Sequence, residues 1–257
     1  MCGYKGGYEM KLSVCIDAIY NGLDTIEAMN RVKAAGYSAF EFWGWWDKDI
    51  KAIAKEKERL GLSVATFCTR LESPIEKQSI FLDGLKESIV VAQSLGCTQL
   101  ITQSGANTSA PRQQQYDALV DSLKKAVPML EKSGITLLLE PLNEVRDHPG
   151  IFSVTSTETI EILKTVGSPF VKCLFDIYHQ QISEGDVITN IQKYLPYIGH
   201  FHCAGNPGRN ELYTGELHYG NVFAAIKNMG YSGYAGLEYF PKDPIEKGLS
   251  FALEQVN

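Results

Sequence analysis

The chain has 257 residues, of which 44% are hydrophobic and 21% are charged, so it holds enough apolar material for a folded core. This composition excludes a disordered chain and is not that of a membrane protein. The formal net charge of -6 gives an overall field that repels polyanions, so a nucleic-acid partner is not expected.

The cysteines and the N-terminal residues indicate a cytoplasmic protein. The six cysteines are far apart, form no Cys-x-x-Cys pair, and several lie in strand-like runs, where reduced thiols pack as small apolar groups. Residues 1–9 lack the apolar centre of a signal peptide and are expected to form a tail. Because no apolar run reaches the roughly 18 residues of a membrane span, no membrane partner is expected either.

From Met10 onward, short β-branched or aromatic runs alternate with longer amphipathic stretches, which is typical of parallel sheets joined by crossover helices. Strands are predicted at residues 11–16, 40–43, 63–68, 99–103, 135–140, 171–176, 198–203 and 234–238. Helices are predicted at residues 24–35, 49–60, 76–95, 113–132, from about 156, and at 187–194, 221–229 and 242–254. Glycines such as Gly61, Gly96 and Gly134 follow these stretches, at the position where a left-handed residue ends a helix.

Eight strand–helix units of about 30 residues each predict an α/β fold, a single (β/α)8 TIM barrel over residues 10–257. The alternative is an open, doubly wound sheet. Such a sheet usually carries a Gly-x-Gly-x-x-Gly turn after its first strand, and this sequence has none there.

Residues with metal-binding side chains end four consecutive predicted strands, roughly one strand–helix unit apart. They are Glu140, Asp176, His202 and Glu238. Because barrel active sites lie at the C-terminal ends of the strands, the four side chains are expected to converge. Three adjacent carboxylates repel one another unless a cation compensates them, so the pattern predicts one divalent metal ion, Mn²⁺, Co²⁺, Mg²⁺ or Zn²⁺.

Each of these residues, taken alone, also has a purely structural interpretation. Glu140 could be a solvent-facing charge, Asp176 a helix cap, and His202 a hydrogen-bonded core residue. Their coincidence at equivalent strand ends favours the metal site. His200 lies two residues before His202 on the same face, so we expect it one layer deeper in the barrel, making a hydrogen bond there.

Substrate-binding candidates lie at the end of predicted strand two and just after predicted strands six and seven. His179 and Arg209 are expected on loops that face the barrel mouth, with solvated loop charges as the alternative. Trp43 is a third candidate, within an aromatic group that either walls the pocket or partly packs under the next helix. That group is Phe42, Trp43, Trp45 and Trp46.

Five segments of the sequence resemble a known superfamily. They are Leu139-Glu140-Pro141-Leu142-Asn143; Asp176-Ile177-Tyr178-His179-Gln180-Gln181 followed by Glu184-Gly185-Asp186; His200-Phe201-His202; Asn206-Pro207-Gly208-Arg209 with Thr214-Gly215-Glu216; and Gly236-Leu237-Glu238-Tyr239. Through them the chain resembles the xylose-isomerase-like barrels, in particular the hydroxypyruvate isomerases and the D-tagatose (ketose) 3-epimerases. The segments at Asp176 and Arg209 are most similar to hydroxypyruvate isomerase. At His202, however, that branch typically has Gln and the epimerases have His, which leaves the substrate open.

The resemblance implies a metal-dependent isomerase or epimerase of a small hydroxy-carbonyl compound, such as hydroxypyruvate or a ketose. It implies that Glu140 and Glu238 are the acid/base pair as well as metal ligands, and that Asp176 and His202 complete the metal site. Such a metal would polarise the carbonyl and stabilise an enediolate while one glutamate takes a proton and the other delivers one.

The resemblance also implies that His179 and Arg209 contact substrate or metal-bound water. The epimerases carry a further Glu after the strand-five segment that positions substrate. Arg146 and Asp147 occupy that region here, so that role is not transferred.

Three other functions remain open on the sequence alone. An abasic-site endonuclease is disfavoured, because it needs a histidine-rich zinc cluster and a basic surface. A lyase of the inosose dehydratase type would use the same proton abstraction, and a non-catalytic barrel would only bind a sugar or support a partner subunit. The sequence does not give the oligomeric state, and a homo-oligomer is one alternative.

Overall fold

A computed structural model describes residues 10–256; the predicted tail at residues 1–9, with Cys2, lies outside the described residues. Over this range eight parallel strands follow one another in sequence order and form a closed barrel, in which β1 pairs with both β2 and β8. The strands are β1 (Lys11–Cys15), β2 (Ala39–Phe42), β3 (Ser63–Cys68), β4 (Gln99–Gln103), β5 (Thr136–Glu140), β6 (Val171–Asp176), β7 (Ile198–Cys203) and β8 (Tyr234–Leu237). The predicted (β/α)8 barrel is confirmed.

The helices of the described chain follow the strands and cover the outside of the barrel. They are α1 (Ile16–Ile19), α2 (Thr25–Ala34), α3 (Ile50–Leu60), α4 (Gln78–Leu95), α5 (Arg112–Ser133), α6 (Ser156–Val166), α7 (Ile177–Ser183), α8 (Val187–Tyr194), α9 (Tyr219–Asn228) and α10 (Ile245–Val256). Local sequence sets several of their ends. Asp24 caps α2 by accepting from the backbone of the first turn, and Gly61 ends α3 in the predicted left-handed conformation.

The core has an outer layer between strands and helices and an inner layer inside the barrel. In β5, Leu137 and Leu139 face outward into the main core, whereas Leu138 points inward. The inner layer contains Cys68, Ile101, Leu138 and Leu174. Since successive side chains of a strand alternate between faces, the residue two positions beyond an inward leucine again points inward, one layer higher. This alternation directs Glu140 and Asp176 toward the barrel axis at its C-terminal end.

The structure differs from the predicted bounds at several strand ends. Ile16 begins the short helix α1 and is not the last residue of β1, and Trp43 and Glu238 lie one residue beyond β2 and β8. Helix α7 was not predicted. It is short and begins directly after Asp176, whose Oδ1 accepts hydrogen bonds from two backbone N–H groups of its first turn, so no loop separates it from β6.

The described cysteines agree with the prediction of reduced, buried thiols. Cys15, Cys68, Cys97, Cys173 and Cys203 are all buried and form no disulfide with one another. None of the helices described is both long enough and apolar enough to cross a membrane.

Candidate active site

The four residues predicted as metal ligands meet at the C-terminal mouth of the barrel. Glu140, Asp176, His202 and Glu238 each contribute one ligand-type atom, and these atoms lie within 4.8 Å of one another. All four residues are buried. The strand-end pattern therefore predicted the grouping correctly.

Strand register explains why the side chains meet. Asp176 is the neighbour of His202 across the β6–β7 pair, and His202 is the neighbour of Gly236 across the β7–β8 pair. Glu238 lies two residues after Gly236, so it points to the same side as its strand leaves the barrel. Glu140 ends β5 in the same orientation.

His202 carries the observation that best fits a cation at this place. Both of its ring nitrogens are buried and neither makes a hydrogen bond within residues 10–256, and the nitrogen nearer to the site carboxylates is Nδ1. The same atom lies 3.5 Å from Glu140 Oε1 and 3.4 Å from Glu238 Oε2. An imidazole nitrogen aimed at a group of carboxylate oxygens is a donor set that suits a divalent metal ion.

Two donors hold both oxygens of the Glu238 carboxylate. Trp43 Nε1 donates to Oε1 over 2.6 Å, and the Arg209 guanidinium donates to Oε2. Burial by itself raises the pKa of Glu238, but the charges of Arg209 and His202 outweigh it and hold that pKa well below its usual range. Glu238 is therefore ionised and fixed in position.

The net pKa shift of Asp176 has the opposite direction. Burial raises the pKa of this carboxyl, and Arg209, whose Nη2 lies 3.9 Å from Asp176 Oδ2, offsets the effect only in part. The two oxygens also have different partners, because Oδ1 caps α7. Asp176 is thus both a helix cap and a member of the cluster, so the two interpretations of its sequence position hold together.

His179 lies on α7, not on the predicted loop, because Asp176 starts the helix at once. Its Nδ1 is 2.6 Å from Asn143 Nδ2, an amide donor, which leaves the ring proton on Nε2, 3.5 Å from Asp176 Oδ2. Burial and then the charge of Arg209 lower the pKa of His179 to about 3, so the ring is neutral at physiological pH. Asn143 in turn donates to Asp147, the residue after Arg146 in the strand-five loop.

Arg209 follows β7 in a loop and reaches inward through a left-handed backbone conformation. Its φ is 54°, in the region that favours glycine, and its carbonyl accepts a hydrogen bond from the backbone N–H of Phe240. The side chain is only 15% exposed, so it is not a solvated loop charge. The backbone hydrogen bond to Phe240 holds the loop, and the guanidinium pairs with Glu238 and lies near Asp176.

The cluster opens into a cavity of about 300 Å³. Its polar lining comes from the site residues, and its apolar walls come mainly from Trp43, Leu71, Ile101, Leu142 and Phe240. A cavity of this size accommodates a small polar molecule. Apolar walls around a charged floor also limit the access of water.

The aromatic group at the end of β2 divides between the site, the core and the surface. Trp43 alone contacts the site. Phe42 stacks on Phe67 in the outer core, with ring centroids 4.9 Å apart, and Trp45 donates to Ser88 on α4. Trp46 is 44% exposed.

Glu41 was not among the residues predicted for the site. This buried residue of β2 lies 3.0 Å from both His200 Nε2 and His202 Nε2, and the hydrogen bond of His200 one layer below His202 is as predicted. Burial raises the pKa of Glu41, but the two histidines outweigh this and lower the pKa to about 2. The available signal was a lone carboxylate between Phe40 and Phe42 in an otherwise apolar strand.

Comparisons with known proteins agree with the geometry. The model of the family described as "Xylose isomerase-like TIM barrel" matches residues 29–255. Hydroxypyruvate isomerase of Escherichia coli K12 is 29% identical over 251 residues, covering 93% of this chain and 97% of that protein. The 2-oxo-tetronate isomerase of Cupriavidus necator is 28% identical over 247 residues, covering 92% and 95%.

A solved structure is also similar over nearly the full length. It is described as AP endonuclease, family 2, from Brucella melitensis, with a TM-score of 0.91 and 29% identity, covering 95% of this chain and 98% of that one. The curated isomerases confirm the prediction of an isomerase-type enzyme. By its barrel and by a family model that spans most of its length, the chain belongs to the xylose isomerase-like TIM barrel family.

Proposed function

We propose that this enzyme is a metal-dependent isomerase or epimerase of a small hydroxy-carbonyl compound, acting by proton transfer through an enediolate. The observation that carries the proposal is the meeting of three carboxylates and His202 Nδ1 at the floor of a small cavity at the barrel mouth. The names of the curated relatives support the reaction class.

In the proposed site Glu140, Asp176, His202 and Glu238 hold one divalent ion, Mn²⁺, Co²⁺, Mg²⁺ or Zn²⁺. Such an ion, when bound, polarises a carbonyl and stabilises the negative charge that develops on its oxygen. Its charge also offsets the repulsion among the three carboxylates.

The two glutamates transfer the proton. One removes the proton from the carbon beside the carbonyl and the other delivers a proton to the enediolate, so a reversible reaction uses each in both roles. Trp43 donates a hydrogen bond to one oxygen of the Glu238 carboxylate and Arg209 donates to the other. These two bonds fix the orientation of the carboxylate and so of the lone pairs that they leave unused. The apolar walls, among them Leu142 and Phe240, protect the intermediate from water.

Arg209 and His179 are proposed to bind the substrate. Arg209 offers a buried cation beside the cluster, suited to an oxyanion or a carboxylate of the substrate. Neutral His179 presents an Nε2–H to the same space. Hydroxypyruvate and 2-oxo-tetronate, named for the relatives, both carry a carboxylate, whereas a ketose is neutral.

The direct test incubates manganese-loaded protein with hydroxypyruvate, tetruloses, ketohexoses and inosose, and resolves the products by NMR. We expect a product with the same elemental composition as its substrate. A product that has lost water would instead identify a lyase of the inosose dehydratase type. Binding of a sugar without turnover would indicate the non-catalytic barrel.

Phosphodiester cleavage, the activity of an abasic-site endonuclease, fits this site less well. The cluster contains one histidine among three carboxylates, and the chain has a net charge of -6. Both features disfavour a DNA backbone at the barrel mouth.

Substitution of Arg209 or His179 by Ala is expected to lower kcat/KM by about 10- to 100-fold, because each removes a hydrogen bond to a charged or polarised group, worth roughly 1.5–3 kcal/mol. Both residues lie outside the proposed ligand set, so metal content should stay near one ion per chain. Steady-state kinetics and elemental analysis measure the two quantities. Arg112→Ala, an exposed arginine paired with Glu158, is the matched control. Loss of the metal from either variant would show that the ligand set is wrong.

A further inference from the structure

Glu41 is a buried carboxylate that lies directly beneath the proposed metal site. Its Oε2 accepts a hydrogen bond from Ser13 Oγ over 2.9 Å and lies 3.0 Å from His200 Nε2. Its Oε1 lies 3.0 Å from His202 Nε2. Oε2 is thus held by two partners, whereas Oε1 makes no hydrogen bond within the described residues and lies at ion-pair distance from the proposed metal ligand.

The neighbouring strand leaves space for this carboxylate. Gly236 of β8 is the register neighbour of His202, and a Cβ at this glycine would lie 2.1 Å from Glu41 Oε1. Any larger residue at position 236 would displace the Glu41 carboxylate. The contact between Glu41 and His202 therefore depends on a glycine from a third strand.

The two nitrogens of His202 face different groups. Nε2 faces Glu41, whereas Nδ1 faces Glu140 and Glu238. Histidines that bind a metal through one nitrogen usually donate the other N–H to a carboxylate or a carbonyl, which fixes the tautomer and the ring orientation.

We propose that Glu41 is a positioning residue that keeps the His202 proton on Nε2 and so directs the Nδ1 lone pair at the metal ion. This inference rests on the proposed function, because it assigns Glu41 to that metal site. Ser13 and Gly236 support the arrangement, the first by a hydrogen bond and the second by leaving room.

The first test uses the wild-type chain, so it does not depend on the folding of any variant. Protein with ¹⁵N-labelled histidine is loaded with Zn²⁺, and long-range ¹H–¹⁵N spectra identify the protonated nitrogen of each ring. His202→Gln assigns the signals among the five histidines. We expect a proton on His202 Nε2 and a metal-shifted Nδ1. A proton on Nδ1, or zinc on Nε2, would overturn the inference.

The second test measures Mn²⁺ affinity through the EPR signal of the free ion. Glu41→Gln is expected to weaken binding by about 10- to 100-fold, the usual effect of removing such a partner. Gly236→Ala, which displaces the carboxylate without removing any charge, should weaken it in the same direction. Glu184→Gln is the matched control, because Glu184 is a hydrogen-bonded carboxylate that caps α6 away from the site. The Mn²⁺ affinity of Glu184→Gln should match that of the wild type.

The outcomes separate this inference from the proposed function. Wild-type affinity in folded Glu41→Gln would overturn the role of Glu41 and leave the proposed metal site intact. Wild-type protein that binds no Mn²⁺ or Zn²⁺ would overturn both. Two ions per wild-type chain would also contradict the inference, because Glu41, His200 and His202 have ligand atoms close enough to hold an ion themselves.

Discussion

Replacing Glu140 or Glu238 with Gln is expected to lower kcat by about 10³-fold or more. A glutamine amide neither takes nor delivers the proton, and general acid–base catalysis is worth about 10²–10⁴-fold by itself. Each change also replaces a proposed anionic metal ligand by a neutral one. In Glu238→Gln, in addition, Arg209 and Trp43 lose the carboxylate that they now hold.

Metal content has to be measured in both variants, because loss of the ion and loss of the proton carrier both lower the rate. Saturating Mn²⁺ separates the two effects, since it restores a ligand defect but not a missing base. Glu144→Gln is the matched control, an exposed glutamate four residues beyond Glu140. If both site variants keep the wild-type kcat within about threefold with the ion bound, the paired-glutamate mechanism is wrong.

Removal of divalent ions with a chelator is expected to lower the rate by about three powers of ten. In the proposed mechanism a bound ion would supply several kcal/mol of charge stabilisation, and each 1.36 kcal/mol corresponds to about a tenfold change in rate. Stability should fall as well, because an ion that binds only the folded state contributes about 2.7 kcal/mol when present at 100 times its Kd. Turnover and Tm of the stripped protein measure both effects.

Restoring the ion is the control for this experiment. Mn²⁺ added back should recover the activity, and elemental analysis should give one ion per chain. Full activity in protein that elemental analysis shows to be free of divalent metal would contradict the proposal.

The barrel and the central cluster were predictable because both rest on short-range periodicity. Metal-binding residue types end four consecutive predicted strands, and the C-terminal ends of barrel strands share one mouth. The regular strand–helix repeat then placed Glu140 and Asp176 at equivalent ends. Neither inference requires knowledge of the contacts between residues that are distant in the sequence.

The surroundings of the cluster depend on contacts between distant parts of the chain. Glu41 lies 161 residues before His202, and nothing local in β2 specifies that partner. Arg209 likewise donates to Glu238, which lies 29 residues further along the chain. In each case a residue with an ordinary local sequence takes its role from tertiary packing.

Equilibration of enzyme and substrate in D2O tests the central claim, proton transfer between two glutamates, most directly. We expect deuterium to accumulate at the carbon beside the carbonyl, most completely if the two glutamates act on opposite faces. A single shuttling base could return part of the original proton and lower the incorporation. Glu140→Gln and Glu238→Gln should suppress the exchange. Product formed with no deuterium at that carbon would indicate a hydride shift and would contradict the mechanism.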